Sequence, residues 1–173
     1  MEQNDAQWSK NDSIKAILNP NEPQIQNEKE ERSVLGGEFR HNLDAKNRIF
    51  IPAKMRDELG ESFVVAKGLR QKCLVAYSLA EWDKYMAPIL AQNGNLRERT
   101  LRFLNATSAE VTPDSQGRIV LPKHLIDHAD IEKSLVIVGC YDHAEIWSEA
   151  GYEKLRSEED VAAMIAELES FGL

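Results

Sequence analysis

Five basic side chains, Arg40, Lys46, Arg48, Lys54 and Arg56, fall within seventeen positions that hold one acid, Asp44. Such a cluster suits two kinds of contact: ion pairs to a phosphate backbone, and arginine or lysine hydrogen bonds to guanine edges. A second basic run, Arg97, Arg99 and Arg102, is interrupted only by Glu98. A solvated basic face without a partner is the plain alternative for both.

Within the first cluster lies Asp44-Ala45-Lys46-Asn47-Arg48-Ile49-Phe50-Ile51-Pro52, which recurs 70 residues later as Asp114-Ser115-Gln116-Gly117-Arg118-Ile119-Val120-Leu121-Pro122. Asn47 and Gly117, one residue before each arginine, are of the types that most readily take positive φ, as a tight turn between strands requires. The opening aspartate of such a turn accepts hydrogen bonds from backbone N–H groups two or three residues on. Two readings of the arginines stay open. In one, Asp44 pairs with Arg48 and Asp114 with Arg118, and each pair braces its loop. In the other, the braced loop presents Lys46 and Arg48 to nucleic acid.

Other chemistry has weaker support. There is no glycine-rich phosphate loop and no nucleophile elbow, so no catalytic residue and no cofactor are expected. His124 and His128 share a helical face at i, i+4 but lack a third ligand, and no metal site is expected there. Cys73 and Cys140 stand far apart, as expected of two reduced, partly buried thiols.

The 173-residue chain carries a net charge of −8, which argues against nucleic acid until its distribution is considered. Residues 1–36 hold seven acids and four bases, and residues 145–173 hold eight acids and two bases. The intervening body, with fourteen acids and fifteen bases, is near neutral and contains the basic clusters. No segment approaches the roughly 18–20 apolar residues of a membrane span, and the first residues lack the pattern of a secretory signal.

The elements that must position the two loops repeat with them. Strands are expected at 37–43, 48–51, 63–66 and 74–77, and again at 109–112, 118–121, 135–138 and 145–147. A short helix follows each proline, at 53–59 and 123–129. Ser78-Leu79-Ala80-Glu81 is a capping box for a further helix, and Ser148 is placed to cap its counterpart. Pro88 should kink or end the first of these helices. Residues 96–103 read as a helix between the copies, and Ser157-Glu158-Glu159-Asp160 as the opening of a last acidic helix reaching about Ser170. The doubled unit implies a pseudo-two-fold domain or two small halves packed together.

The segment from Gly37-Glu38-Phe39-Arg40 through Asp44-Ala45-Lys46-Asn47-Arg48 to Met55-Arg56 resembles the opening of the MraZ family, bacterial transcriptional regulators of the AbrB-like, swapped-hairpin type. Leu79-Ala80-Glu81-Trp82, Gly117–Pro122 and Glu145-Ile146-Trp147 resemble it too, so the resemblance spans about residues 36–156. It implies an α+β fold: two tandem AbrB-like (SpoVT-AbrB) β-rich repeats forming a pseudo-two-fold domain with flanking helices. The expected parts are a flexible polar tail (1–35), a first repeat (36–84), a helical linker (85–105), a second repeat (106–156) and an acidic C-terminal helix (157–173). It further implies a ring-shaped homo-oligomer in the bacterial cytoplasm, associated with the nucleoid. This ring would bind double-stranded DNA at direct repeats upstream of the division and cell-wall gene cluster, with no membrane and no small-molecule substrate involved. Carried onto this chain, the DNA-binding residues are Arg40, Lys46, Asn47, Arg48, Lys54 and Arg118, with Asp44 and Asp114 bracing the loops. Three departures matter. Asn47 replaces the usual glycine, the tail of about 35 residues is additional, and Gln116 stands where the first copy has Lys46, which implies weaker contact there. AbrB-like folds also serve as antitoxins, so a protein-interaction module is the alternative.

Overall fold

In each copy one short run of β-branched or aromatic residues is closed by a proline, which fixes φ and carries no N–H, and this sets the local grammar of both. The computed structural model describes residues 34–173. The expectation of a flexible polar tail over the first 33 residues lies outside the described residues. Leu35, assigned to the tail from sequence, belongs instead to the folded part. It is 5% exposed and exchanges two backbone hydrogen bonds with Tyr141, of 3.0 and 2.9 Å, so an apolar side chain and a satisfied backbone hold it in place.

The first copy comprises β1 (Glu38–Asn42), β2 (Arg48–Phe50), α1 (Ala53–Leu59), β3 (Phe63–Lys67), β4 (Leu74–Ser78) and α2 (Leu79–Leu90). Helix α3 (Asn95–Ala106) leads to the second copy: β5 (Ser108–Val111), β6 (Arg118–Val120), α4 (Lys123–His128), β7 (Ser134–Gly139), β8 (Ala144–Ser148) and α5 (Glu149–Glu158). Helix α6 (Val161–Ser170) ends the chain. Pro52 and Pro122 occupy the N-cap positions of α1 and α4. The Ser78 and Ser148 hydroxyls each accept a backbone N–H three residues on, at 3.2 Å, as the capping pattern requires. Helix α2 runs through Pro88 and stops two residues later. The last helix starts later than Ser157, because the Ser157 hydroxyl donates back to the Lys154 carbonyl inside α5. Asp160 is the residue that caps α6, accepting the Ala163 N–H. Among the described residues no helix is long and apolar enough to cross a membrane.

The strands form one six-stranded antiparallel sheet in the order β1-β7-β8-β4-β3-β5 and a two-stranded ribbon, β2-β6. Exchanging the two copies turns the sheet order into its own reverse. Each copy therefore gives its entry strand to the other: β1 pairs with β7, and β5 with β3. This exchange makes the pair a single pseudo-two-fold domain rather than two halves in contact. The ribbon pairs Ile49 with Ile119, flanked by Arg48 with Val120 and Phe50 with Arg118. It is extended by a reciprocal pair of bonds, Ile51 N–H to the Gly117 carbonyl at 2.9 Å and Leu121 N–H to the Asn47 carbonyl at 2.8 Å.

Strand alternation sends Ile49 and Ile119 inward, where both are essentially fully buried. Below them lie Ile51, Leu121, Met55 and Leu125, equivalent in pairs, with Leu59, Phe63, Leu135, Ile137 and Ile146. Burying such a side chain contributes about 1.5–3 kcal/mol, so the ribbon is anchored by its inner face while its outer face stays at least partly exposed.

Both turns take left-handed backbone at the position before the arginine, with φ of 58° at Asn47 and 76° at Gly117. A Cβ at Gly117 would stand 2.9 Å from the Arg56 guanidinium and 3.2 Å from the Phe50 ring. Gly117→Ala should therefore lower stability by about 1–2 kcal/mol from backbone strain, whereas Asn47→Gly should leave it within about 1 kcal/mol. Urea unfolding of the two variants beside the parent chain checks both values.

Candidate nucleic-acid interface

An aspartate two and four residues ahead of free backbone N–H groups closes a turn on itself, and both loops do this in the same way. Asp44 Oδ1 accepts the N–H groups of Lys46 at 2.8 Å and Arg48 at 2.9 Å. Its Oδ2 accepts Arg48 Nε at 2.7 Å and pairs with Nη2 at the same distance. Asp114 repeats the set, accepting the N–H groups of Gln116 and Arg118 at 2.9 Å and the Arg118 Nε and Nη2 at 2.9 and 2.7 Å. Backbone bonds finish each turn: Asn47 N–H to the Asp44 carbonyl, Gly117 N–H to the Asp114 carbonyl, and each aspartate N–H to the carbonyl of its own arginine.

The arginine side chains, through their hydrogen bonds and charge, together with these N–H donors, hold the Asp44 and Asp114 carboxyls down at about 2. Each guanidinium spends one edge on its aspartate and keeps roughly a quarter of its side-chain surface open, 25% for Arg48 and 29% for Arg118. Bracing and presentation are thus compatible: the same pair that shapes the loop also fixes the direction of the arginine.

Because side chains alternate along a strand, Arg48 and Phe50 share the outer face of β2, and Arg118 and Val120 that of β6. The outer ribbon is therefore a quartet in which Arg48 stands across from Val120 and Arg118 across from Phe50. Phe50 is 38% and Val120 58% exposed, and His41 meets the Phe50 ring edge-on at 5.2 Å. Lys46 is exposed on the first loop, and Lys54 is exposed on α1. Among the described residues neither enters an ion pair.

The structure thus brings Lys46, Asn47 and Arg48 together on one loop and sets Arg118 on the equivalent loop across the ribbon. Lys54 follows on α1, whereas Arg40 is committed elsewhere. Its guanidinium reaches Glu149 at 2.9 Å, Glu153 at 2.6 Å and Glu38 at 3.2 Å. The hydrogen bonds it donates to Glu153 and Glu149 keep Arg40 firmly protonated. Asn47 contributes its backbone carbonyl to the ribbon, through Leu121. Three residues outside the sequence-derived set join the surface: Phe50, Val120 and Arg56. The last donates Nε to the Ile51 carbonyl at 3.1 Å and lies over Gly117. Strand alternation was sufficient to expose the first two, and Arg56 already stood in the basic cluster. Arg97, Arg99 and Arg102 lie on α3, where Arg97 Nε donates to the Leu90 carbonyl at 3.2 Å.

Comparison with known proteins gives this architecture relatives. The sequence profile of a family described as "MraZ protein, putative antitoxin-like" matches twice, over residues 34–104 and 103–169. A protein named Transcriptional regulator MraZ from Caldanaerobacter subterraneus subsp. tengcongensis is 41% identical over 132 residues, covering 75% of this chain and 91% of its own. Proteins of the same name from Pediococcus pentosaceus and Clostridium acetobutylicum are 39% and 38% identical over 141 residues, each covering 79% of this chain and 98% of the relative.

The depressed aspartates carry a pH signature. Their ordinary value is 3.8 and their folded value about 2. The bracing contribution is therefore fully present above the ordinary value and is lost as pH falls toward the folded one. The double variant Asp44→Asn, Asp114→Asn should be less stable than the parent at neutral pH and should lose less stability over that acid interval. Urea midpoints measured across it read the difference in slope.

Proposed function

The chain belongs to the MraZ family, and on that premise we propose that it is a transcriptional regulator that grips double-stranded DNA with the first of its two aspartate-braced loops. The observation that carries this reading is the first loop itself. There Lys46 is exposed, Arg48 is aimed by Asp44, and the surrounding cluster of bases stands in an otherwise acidic protein. Lys46 and Lys54 are assigned to phosphates, Arg48 to phosphate or a guanine edge, and Asn47 to the turn that presents them. Arg118 makes the equivalent, weaker contact, because Gln116 brings no charge to its loop. Arg40 serves DNA binding only if it leaves its three carboxylates, so its role is to tie β1 to α5.

The specific target in this proposal is a set of short direct repeats upstream of the division and cell-wall genes, engaged by several protomers of a homo-oligomeric ring in the bacterial cytoplasm, at the nucleoid. Multiple weak loops acting together suit a chain of net negative charge, since affinity then comes from the number of linked contacts. Self-assembly is supported by α6. Val161, Met164, Ile165 and Leu168 follow helical spacing and are all at least 43% exposed, an apolar stripe in search of cover. The same stripe favours the second reading, an antitoxin-like module that covers a protein partner.

Fluorescence titration of the upstream duplex across a salt series tests the proposal. Lys46→Ala should weaken binding and reduce the slope of log affinity against log salt by about one. Arg48→Ala should weaken it further, and Arg118→Ala, which breaks the equivalent brace, should weaken it less. Wild-type affinity and slope in folded Lys46→Ala and Arg48→Ala would refute the assignment. Salt-insensitive or absent DNA binding by the parent chain would favour the protein-partner reading.

A further inference from the structure

The turn between β7 and β8 gathers residues that neither the sheet nor the loops require. With the first two residues of β8 it reads Cys140-Tyr141-Asp142-His143-Ala144-Glu145. Cys140 Sγ, a ring nitrogen of His143 and a carboxylate oxygen of Glu145 all lie within 4.8 Å of one another, and all three side chains are half-buried. His143 Nε2 is already 3.8 Å from Glu145 Oε1. In a tetrahedral zinc site, with metal–ligand bonds of about 2.0–2.3 Å, neighbouring ligand atoms are about 3.3–3.6 Å apart. Rotations of about an ångström at the side-chain tips would close the set. We propose that Cys140, His143 and Glu145 form a site for a divalent transition metal, of which zinc is the natural occupant.

The surrounding geometry supports this in three ways. First, the turn is held in shape. Cys140 N–H bonds the His143 carbonyl at 2.8 Å and Asp142 N–H bonds the Cys140 carbonyl at 3.0 Å, while Tyr141 takes a left-handed φ of 73°. Non-glycine residues adopt that conformation at a cost, and it turns the cysteine and histidine back toward each other.

Second, each nitrogen and oxygen ligand has its other polar atom occupied. Asp142 Oδ1 sits 2.6 Å from His143 Nδ1, which leaves Nε2 for a metal. The Trp147 indole donates to Glu145 Oε2 at 2.9 Å, which leaves Oε1. The His143 ring is also stacked on Tyr77 at 5.0 Å, so its plane is set by packing.

Third, the donor set is chemically selective. One thiolate, one imidazole and one carboxylate favour zinc or cobalt over magnesium and calcium, which take oxygen ligands. Ligation needs the thiolate, so each metal bound releases the Cys140 proton to solvent. Three protein ligands leave a fourth position for water. Through the Leu35–Tyr141 bridge, a metal here would staple the turn to the segment entering β1. The site is separate from the DNA-binding reading and does not depend on it.

Titration of the full chain with cobalt(II), in the presence of a non-thiol reductant, is the direct test. One equivalent per chain should bind, with a sulfur-to-cobalt charge-transfer band and the visible bands of a tetrahedral ion, and zinc should displace it. Cys140→Ser should abolish the charge-transfer band. His143→Asn and Glu145→Gln should weaken affinity more than about tenfold. Cys73→Ala should leave the band in place. Absence of stoichiometric binding would overturn the proposal and leave the cluster as a hydrogen-bonded turn. A band that survives Cys140→Ser, or full affinity in His143→Asn, would also overturn it. Far-UV circular dichroism verifies that each variant is folded. Should Cys140→Ser fail to fold, the parent's charge-transfer band together with the His143→Asn titration decides the question.

Discussion

Everything at the two-loop surface depends on a reciprocal pair of bonds, in which Ile51 N–H donates to the Gly117 carbonyl and Leu121 N–H to the Asn47 carbonyl. These bonds continue the β2–β6 ladder to its ends and place the two turns side by side. They require both turns to adopt left-handed backbone at the residue whose carbonyl accepts the bond, which is why Asn47 and Gly117 stand where they do. They also require the Ile49–Ile119 pair beneath, whose burial anchors the ribbon to the core. Exchange of the entry strands then locks the arrangement, because neither copy retains a complete sheet of its own.

The pseudo-symmetry is close in the backbone and broken in the side chains. The two aspartate braces have nearly identical distances and the same depressed acidity. What differs is what the loops carry: Lys46 against Gln116, and Asn47 against Gly117. The positions 70 residues apart at the start of the helices differ too, since Arg56, which covers Gly117, has Ile126 as its counterpart. Duplication of a rigid frame with divergence at its exposed positions gives a protein one scaffold and two unequal surfaces. Charge follows the same division. The acids of α5 gather around Arg40, while Lys46 and Lys54 are left exposed.

Much of this was legible in the residues, for local reasons. The turns, the proline-started helices and the Ser78 and Ser148 caps each depend on side chains within a few positions of one another, and they stand where spacing put them. The Asp–Arg pairing was also local, although sequence left it undecided between brace and contact; the geometry makes it a brace that also aims the arginine. Long-range pairing was hidden. The repeat announced two copies but not that β1 would join β7, and Arg40 read as a phosphate ligand because its partners, Glu149 and Glu153, lie 109 and 113 positions away. The last helix was started too early because Ser157 has the composition of a cap but bonds back into α5. The cluster Cys140, His143 and Glu145 was in plain view and still missed. A helical i, i+4 histidine pair is the pattern that spacing makes visible, whereas here a tight turn and the start of a strand bring the three together.

Lysine footprinting on the folded chain decides whether the first braced loop faces DNA. Acetylation rates at Lys46 and at Lys154, an exposed lysine on α5, would be compared with and without the upstream duplex at low salt. Bound DNA should strongly protect Lys46 and leave the reactivity of Lys154 unchanged. Unchanged reactivity of Lys46 on a chain saturated with DNA would contradict a DNA-facing first loop.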